Sequence, residues 1–161
     1  MKIIALSGKA GSGKDTFYSI AKEVLPNCQR FAFGDYLKEI AMVCGWDGKK
    51  NEFGRHLLQS VGTIMRNKDK DFFVKKLHDD LKQSTCDVAI ITDCRYLNEI
   101  NSFNQCTTIR IISNRKSKLN KEQNKHDSET ELNNYEFDYV ITNNGSIEEY
   151  KKEVLRCLSN V

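Results

Sequence analysis

The chain opens on Met-Lys-Ile-Ile-Ala-Leu-Ser-Gly-Lys-Ala-Gly-Ser-Gly-Lys-Asp-Thr (residues 1–16), and this stretch decides the fold. An apolar run at residues 3–6 is followed at once by a loop that holds three glycines and ends in Lys14. Apolar residues then recur at helical spacing, at Phe17, Ile20, Ala21 and Val24. A strand, a glycine-rich loop and a helix in this order form the context in which such a loop binds phosphate.

The residue types of this loop suit a bound polyphosphate. Glycine lets the backbone approach phosphate oxygens closely, while successive N–H groups and the helix N-terminus offer donors. Lys14 adds a mobile positive charge for the β- and γ-phosphates. A glycine turn that binds nothing is the alternative, which the flanking strand and helix disfavour. We expect the following residues to contact the donor nucleotide: Gly8, Ala10, Gly11, Ser12, Gly13, Lys14, Asp15 and Thr16.

One position departs from the usual phosphate-loop pattern. Asp15 stands directly after the lysine, where the pattern has Ser or Thr, and Thr16 follows one step later. Many nucleoside monophosphate kinases resemble this chain here, because they carry Gly-Lys-x-Thr. We therefore expect the hydroxyl of Thr16 to help hold Mg²⁺.

Length and composition indicate a single globular domain over residues 1–161. Hydrophobic residues make up 39% of the chain and charged residues 29%, which suits a soluble, cytoplasmic protein. The net charge of +3 is too small to imply nucleic-acid binding and is compatible with an anionic small substrate. No run reaches the length of a membrane span, and we expect no leader ahead of the first strand. The six cysteines include no C-x-x-C pair, so neither a zinc site nor a disulfide framework is indicated.

Strands and helices alternate along the chain, which predicts a parallel five-stranded sheet flanked by helices in three layers. We expect strands near residues 3–6, 30–33, 88–92, 107–112 and 139–142. Between the second and third strands lies a helical region, at about 34–83, that begins with Asp35 as N-cap. It includes a polar loop around Trp46, which we expect to be exposed. Capping boxes are predicted at Ser128 with Glu131 and at Ser146 with Glu149.

Asp93 follows a continuous apolar run, the form of a strand buried on both faces of a parallel sheet. In an enzyme with a phosphate loop, the acid at this strand end holds Mg²⁺ directly or through water. Arg95, two residues later, leaves the same strand end and would point toward the transferring phosphate. A cap on a turn is the alternative role for Asp93. The pattern favours Lys14, Asp93 and Arg95 as catalytic residues, with Thr16 and Asp93 as metal ligands.

Two further basic groups suit an anionic acceptor. The Lys- and Asn-rich segment at about 113–127 predicts a mobile lid, in which Arg115 with Lys116 and Lys118 would neutralise charge during transfer. A solvated basic loop is the equal alternative. Arg55, Gln59 and Arg66 share one polar side of a helix. Arginine suits bidentate capture of a phosphate, and Gln59 could bond a base edge, although an exposed helix face has the same pattern.

A phosphate acceptor would need no strong general base, since a phosphomonoester is largely dianionic at neutral pH. Positioning and charge neutralisation would then supply most of the catalysis. A hydroxyl acceptor would instead need a carboxylate base, for which Asp35 or Asp93 would serve. The three histidines have no metal-ligand spacing.

The chain resembles the tailed-phage deoxynucleoside monophosphate kinase family nearly end to end. The resemblance rests on Ser-Gly-Lys-Asp-Thr at 12–16, Arg-His-Leu-Leu-Gln at 55–59 with Gly-Thr at 62–63, Asp-Cys-Arg at 93–95 with Glu99, His126 with Glu129, and Asp-Tyr-Val-Ile-Thr-Asn-Asn-Gly-Ser at 138–146. It implies transfer from ATP, with Mg²⁺, to a deoxynucleoside 5′-monophosphate on a nucleoside-monophosphate-kinase fold.

The resemblance also implies roles for single residues. Arg95 would face the transferring phosphate, and Asn143, Asn144 and Gly145 would lie at the donor adenine. We expect the acceptor to be contacted by Asp35, Lys38, Trp46, Arg55, Gln59, Arg66, Arg95, His126 and Glu129.

Two other functions remain open at this stage. The same fold could phosphorylate another acceptor, such as dephospho-coenzyme A or a modified DNA base, or it could act as a nucleotide-binding switch without catalysis. A switch has no need of acceptor-side residues such as Arg55 and Gln59. We expect a small-molecule nucleotide as the binding partner, no membrane, no stable nucleic-acid complex, and we allow for a homodimer.

Overall fold

The computed structural model describes residues 1–114 and 125–161. Most of the predicted lid, including Arg115, Lys116 and Lys118, lies outside the described residues. The strands are β1 (Lys2–Ser7), β2 (Cys28–Phe31), β3 (Val88–Ile91), β4 (Thr107–Ile112) and β5 (Tyr139–Thr142). The helices are α1 (Lys14–Val24), α2 (Phe33–Val43), α3 (Glu52–Lys68), α4 (Phe72–Gln83), α5 (Leu97–Asn101), α6 (Asp127–Thr130) and α7 (Ile147–Leu158).

The five strands form one parallel sheet in the order β2-β3-β1-β4-β5. The predicted five-stranded α/β sheet is therefore confirmed. Its centre is β1, in which Ile4 pairs with Ile90 of β3 and Leu6 pairs with Ile109 of β4. Every residue of β3 is buried, as expected for a strand covered on both faces. Because the strands are parallel, the loops that follow them meet at one edge of the sheet.

Helices cover both faces of the sheet. On one face, Phe17 of α1 and Tyr150 of α7 pack against the apolar side of β1, β3 and β4. On the other face, Phe73 and Leu77 of α4 pack with Phe33 of α2 against the remaining side of the sheet. The apolar stripes of these helices thus create two cores, which hold the carboxyl edge of the sheet in place.

The start of α2 differs from the sequence prediction. The second strand ends at Phe31, two residues early, and α2 begins at Phe33 with Ala32 at its N-cap. Asp35 therefore lies in the first turn and is not the cap. The N-terminal N–H groups of α2 bond the carboxylate of Asp93, which follows β3. The acceptor that this helix needs comes from a neighbouring strand in the sheet, so its own sequence does not reveal it.

Of the two predicted capping boxes, one is wrong and one is confirmed. The short helix α6 is capped by His126, whose ring accepts from the N–H of Ser128, so Ser128 is not its cap. Glu131 instead accepts from the backbone N–H of Leu97. The predicted capping box of α7, Ser146 with Glu149, is present.

Trp46 is buried, only 7% exposed, rather than exposed as predicted. Its indole N–H donates to the carbonyl of Lys49 at 3.0 Å, so the loop folds back over the ring. All six cysteines are free thiols, in agreement with the absence of a disulfide pattern. Within residues 1–114 and 125–161, no helix combines the length and apolar character needed to cross a bilayer.

Candidate functional site

An open cleft of about 330 Å³ lies at the carboxyl edge of the sheet. Its walls are the loop after β1, the first turns of α1 and α2, the inner side of α3, the turn after β3 and the start of α6. This is the edge at which open α/β sheets bind ligands. The volume lies at the small end of the range typical of ligand pockets.

The glycine-rich loop after β1 has a conformation that only glycine tolerates at two of its positions. Gly8 and Gly13 have φ values of +153° and +110°. A Cβ at Gly8 would lie 2.5 Å from the carbonyl oxygen of Ile111, and one at Gly13 would lie 2.4 Å from Nδ2 of Asn143. The backbone is therefore packed too closely for any side chain, which fits the loop geometry that the sequence predicts.

Lys14 is folded into this loop. Its Nζ donates to the carbonyl oxygens of Gly8 (2.6 Å) and Lys9 (2.9 Å). Burial, together with the positive charge of Arg95, lowers the pKa of Lys14 from its ordinary value to about 8. A nearby negative charge favours the charged form of a lysine. An anionic ligand would therefore stabilise the ammonium form of the poorly solvated Lys14.

The segment after β5 supports the loop from behind. Asn143 is buried and donates from Nδ2 to the carbonyl of Ser12 at 2.9 Å. The hydroxyl of Tyr150 donates to the carbonyl of Gly13 at 3.1 Å. Asn144 accepts from the N–H of Asn114 at 2.6 Å, and Gly145 lies in the turn before α7. Asn143 therefore supports the glycine-rich loop, a structural role that differs from its predicted contact with the adenine.

Asp93 lies at the floor of the cleft. Its Oδ1 accepts from the N–H of Phe33 at 2.9 Å and its Oδ2 from the N–H of Gly34 at 2.7 Å. The carboxylate thus caps α2, which is the alternative role that the sequence left open, and it still lines the cleft. Each carboxylate oxygen keeps a second lone pair, so the cap does not prevent contact with a metal ion or its waters.

Arg95 projects into the cleft from the turn after β3. Its Nη1 donates to the carbonyl oxygen of Ser128 at 2.9 Å and forms an ion pair with Oε1 of Glu129. The backbone N–H of Arg95 donates to Oε2 of Glu99 at 2.7 Å. Arg95 is therefore fixed at both its backbone and its side chain by acidic residues.

Arg66 of α3 is fixed in a similar way. Its Nη2 donates to Oε1 of Glu99 at 3.0 Å, and its guanidinium lies over the rings of Phe73 (4.6 Å) and Tyr96 (4.0 Å). Glu99 is fully buried, and this burial raises its pKa to about 7, even though Arg66 acts in the opposite direction. Arginine stacked on aromatic rings keeps one plane and one position, so Arg66 forms a rigid part of the cleft wall.

The cleft wall also carries a group of cations, Arg30, Lys38, Lys50 and Arg55. Arg30 and Lys38 both pair with Asp35, at 2.6 Å each. The Nε of Arg55 donates to the carbonyl of Lys50 at 2.9 Å. Burial and the positive charges of Lys38 and Arg55 lower the pKa of Lys50. This group therefore carries positive charge that a bound anion would balance.

His126 closes the cleft beside α6. Its Nε2 lies 3.2 Å from Oγ1 of Thr63 on α3, and its Nδ1 accepts from the N–H of Ser128. Burial lowers the pKa of His126, which favours the neutral ring. The ring thus joins α3 to the start of α6 across the mouth of the site.

The cleft brings together most of the residues predicted from the sequence. It is lined by Ala10, Gly11, Lys14, Asp15, Lys38, Arg55, Gln59, Arg66, Asp93, Arg95, His126 and Glu129. Asp35 lies behind the wall, paired with two lining cations. Thr16, Trp46 and the segment 143–145 do not line it, while Arg115 lies outside the described residues.

Sequence reasoning missed six polar or aromatic residues of the cleft wall, and Glu99 was noted only as part of a motif. The missed residues are Arg30, Phe33, Lys50, Thr92, Tyr96 and Ser128. The position of Arg30 at the end of a strand was a usable signal, because parallel strands end at the same edge. Lys50 lies in an irregular loop, for which no periodic pattern exists.

Comparison with known proteins gives a consistent result. A family model described as "Deoxynucleotide monophosphate kinase" matches residues 38–154. No curated protein sequence matches the chain.

Several solved structures share the fold. Shikimate kinase from Aquifex aeolicus is 20% identical, with a TM-score of 0.55, covering 99% of this chain and 97% of its own. Dephospho-CoA kinase from Campylobacter jejuni is 15% identical, with a TM-score of 0.58 and the same coverage. A tunicamycin resistance protein from Deinococcus radiodurans is 12% identical, with a TM-score of 0.55, covering 98% of this chain and 95% of its own. At these identities the likeness establishes the fold alone.

Proposed function

The chain belongs to the deoxynucleotide monophosphate kinase family, and we propose that it transfers the γ-phosphate of ATP to a deoxynucleoside 5′-monophosphate. Family and architecture make it a nucleotide kinase, a phosphotransferase. What remains a proposal is the acceptor, the metal and the role of each residue. The observation that carries the proposal is the cleft itself, whose wall holds both Lys14 and a group of cations around Lys50 and Arg55.

At the donor end, the loop after β1 would hold the β- and γ-phosphates of ATP. Its N–H groups and the N-terminus of α1 offer donors, and Lys14 offers charge. In the free protein Lys14 bonds carbonyls of its own loop, so a phosphate would replace those partners with a stronger, charge-assisted one. Arg95 lies between the two ends and would neutralise charge on the group in transfer.

At the acceptor end, Arg55 and Lys50 would bind the monophosphate, with Lys38 and Arg30 behind them. Leu37, Leu58 and Gln59 line the adjoining wall. This mixture of apolar surface and one amide suits a nucleobase, which needs a flat contact and an edge bond. Arg66 would complete the wall between base and phosphate.

The state of the carboxylates supports a phosphate acceptor over a hydroxyl acceptor. Deprotonation of a hydroxyl needs a base with an available oxygen. Asp35 bonds two cations at 2.6 Å each, and Asp93 bonds two backbone N–H groups. Hydrogen bonds from Arg30 and Lys38 lower the pKa of Asp35 despite its partial burial, which makes this carboxylate a weak base. A monophosphate is already a nucleophile near neutral pH and requires only placement and charge neutralisation.

The residues present also fit Mg²⁺ bound together with the nucleotide. Among residues 1–114 and 125–161, no group of three metal-binding side chains forms a protein cage. Mg²⁺ in kinases is usually bound by one or two carboxylates, with substrate phosphates and water filling the other positions. Asp93, which lines the cleft, would supply such a carboxylate, whereas Thr16 does not line it and its hydroxyl stays a predicted ligand only. When bound, the ion would neutralise charge on the donor phosphates.

Truncation of Arg55 tests the acceptor site. Arg55→Ala removes a charge-assisted contact worth about 1.5–3 kcal/mol. We expect the monophosphate to bind roughly ten- to a hundredfold more weakly, at ~1.4 kcal/mol per decade. Binding of ATP should barely change. Calorimetry with a deoxynucleoside monophosphate and, separately, with a non-hydrolysable ATP analogue measures both effects.

Lys68→Ala is the matched control, because it removes a charge from the exposed last turn of the same helix. This variant should bind both nucleotides as the parent does. Loss of ATP binding in Arg55→Ala, with the monophosphate retained, would place Arg55 at the donor end. If the parent binds and phosphorylates no monophosphate of a complete panel, the acceptor is another molecule. The kinase of dephospho-coenzyme A or of a modified DNA base then becomes the better hypothesis.

The cellular setting belongs to the same proposal. A nucleotide kinase of this kind would act in the cytoplasm and form no stable complex with nucleic acid. Whether it forms a homodimer stays a prediction. The exposed Val43 (90%) and Phe53 (71%), which lie on neighbouring helices, are the apolar side chains that support it. Light scattering at several protein concentrations would test it.

A further inference from the structure

Glu129 places a carboxyl group in a buried position beside the cleft. Its side chain is only 4% exposed, and its Oε1 forms the ion pair with Nη1 of Arg95. The same Nη1 also donates to the carbonyl oxygen of Ser128, one residue earlier. A buried carboxylate loses most of its hydration, which costs free energy. A carboxylate at this position beside the cleft therefore needs a physical explanation.

The ion pair uses only one edge of the Arg95 guanidinium. Within residues 1–114 and 125–161, Nη1 donates both hydrogen bonds of the Arg95 side chain, and neither Nε nor Nη2 has a partner. The backbone of Arg95 is held separately by Glu99. An arginine fixed at one terminal nitrogen and at its main chain has lost most of its rotamer freedom. Its remaining N–H groups stay available for a ligand of the cleft.

The second oxygen of Glu129 distinguishes this residue from Glu99. Oε2 of Glu129 is buried and has no hydrogen-bond partner among the described residues. Both oxygens of Glu99, by contrast, accept from Arg66 or from backbone N–H groups. Glu129 also borders a cavity of about 10 Å³, beside Gly8 and Arg110. Such a space holds about one water molecule.

We propose that Glu129 is the positioning residue of Arg95: its carboxylate holds the guanidinium by Nη1 so that the opposite edge faces the phosphate in transfer. This inference rests on the proposed function, in which Arg95 serves that phosphate. Its physical basis is preorganisation. An arginine that is already oriented stabilises the transition state without first losing rotamer entropy.

Glu129 is poorly suited to the alternative role of an acceptor ligand. Glu129 lines the cleft, but its carboxylate is almost fully covered and its Oε1 is already paired with Arg95. A carboxylate that touched the monophosphate directly would also repel it. The predicted substrate contact at this position is therefore better explained as an indirect one, acting through Arg95.

Two substitutions separate the orienting contact from the charge. Glu129→Ala removes the contact, whereas Glu129→Gln keeps an oxygen for Nη1 and places its amide where Oε2 has no partner. We expect kcat to fall roughly thirtyfold in Glu129→Ala and by less than tenfold in Glu129→Gln. KM for ATP and for the monophosphate should stay within about threefold of the parent. That split is expected when an interaction acts only in the transition state.

Asp127→Asn is the matched control, since it removes a charge from an exposed position on the same short helix. Its kinetics should equal those of the parent. Circular dichroism at the assay temperature establishes that each variant is folded. An unchanged kcat in folded Glu129→Ala overturns the proposal. A rise in monophosphate KM at constant kcat also overturns it and makes Glu129 a substrate ligand.

A second measurement needs no catalytic turnover, so it tests whether Glu129 holds Arg95 independently of the proposed function. In ¹⁵N-labelled protein, the Arg95 side-chain N–H signals, assigned with Arg95→Lys, report whether the guanidinium is held. We expect slow rotation and dispersed signals in the parent and in Asp127→Asn, and averaged signals in Glu129→Ala. Averaged signals in the parent would overturn the inference. A parent that holds Arg95 but phosphorylates no monophosphate would instead reject the proposed function alone.

Discussion

At Lys14, the position in the sequence and the burial of the side chain together determine the chemistry of one residue. Its place in the glycine-rich loop would bring it to the donor phosphates, and the fold partly buries its side chain. With a pKa of about 8 it is mostly charged at neutral pH but loses that charge at lower pH than an exposed lysine does. The free protein is therefore sensitive to mildly alkaline conditions.

This sensitivity gives a prediction for the pH profile. kcat/KM for ATP reports the free enzyme and should fall as the pH rises through about 8, because neutral Lys14 binds phosphate poorly. Bound phosphate stabilises the ammonium form, so kcat at saturating ATP should stay level to higher pH. Steady-state kinetics between pH 6 and 10, with folding checked at each pH, provides the measurement.

Glu129→Gln serves as a matched variant for the same profile. The charge of Glu129 raises the pKa of Lys14, so its removal should move the alkaline limb of kcat/KM to lower pH. A limb that is absent below pH 9 in the parent would show that another group, or no group, controls donor binding in this range.

At the scale of elements, the turn after β3 performs two tasks. Asp93 supplies the acceptor for the first N–H groups of α2, and through Arg95 and Glu99 the same turn forms the cleft floor. A helix start that bonds a neighbouring strand end ties the acceptor-side helices to the sheet. If Asp93 also binds the metal as proposed, stability and metal binding are linked at this residue.

Asp93→Asn should affect both properties. The amide presents N–H groups to at least one of the two backbone donors, which we expect to cost about 1–3 kcal/mol. For a domain of this size, the melting temperature should fall by about 2–4 °C per kcal/mol. The Mg²⁺ concentration for half-maximal activity should rise. Scanning calorimetry and a magnesium titration measure the two effects.

Ser146→Ala separates the effect on stability from the effect on Mg²⁺ binding, because it removes the cap of α7 at a distance from the predicted metal site. We expect it to cost about 1 kcal/mol of stability and to leave the magnesium midpoint unchanged. If Asp93→Asn behaves in the same way, Asp93 is a helix cap only and its predicted metal role is wrong.

At the scale of the whole molecule, the proposed donor and acceptor sites lie on different parts of the fold. The donor loop is anchored by β1, α1 and α7, while the acceptor cations lie on α2, α3 and the loop between them. Each ligand should therefore stabilise the protein on its own. A ligand that binds only the native state, at a hundred times its dissociation constant, adds about 2.7 kcal/mol.

Thermal unfolding gives the corresponding prediction. A non-hydrolysable ATP analogue with Mg²⁺, at this excess, should raise the melting temperature of the parent by about 5–11 °C. Lys14→Ala should abolish the shift by the ATP analogue and leave the shift by the monophosphate intact, because the two ligands occupy opposite ends. Retention of the ATP shift in Lys14→Ala would contradict the assignment of the donor loop.

The sequence by itself determined the parts of this protein whose causes are local. The glycine-rich loop, the buried β3 and the capping box at Ser146 and Glu149 depend on neighbours within a few residues, so their patterns are visible in the chain. Parallel topology then followed from the alternation of strands and helices. Most of the cleft residues were also within reach, since they lie on these regular elements.

Only the tertiary structure decided which polar groups pair. Asp93 caps a helix about 60 residues away, and Arg66 and Arg95 each bond a glutamate more than 30 residues away. Such partners depend on the strand order, which places β3 between β2 and β1. Trp46 is buried for a similar reason, because its loop folds back over it. Local propensity contains no information on contacts of this kind, since they form only when the whole chain is packed.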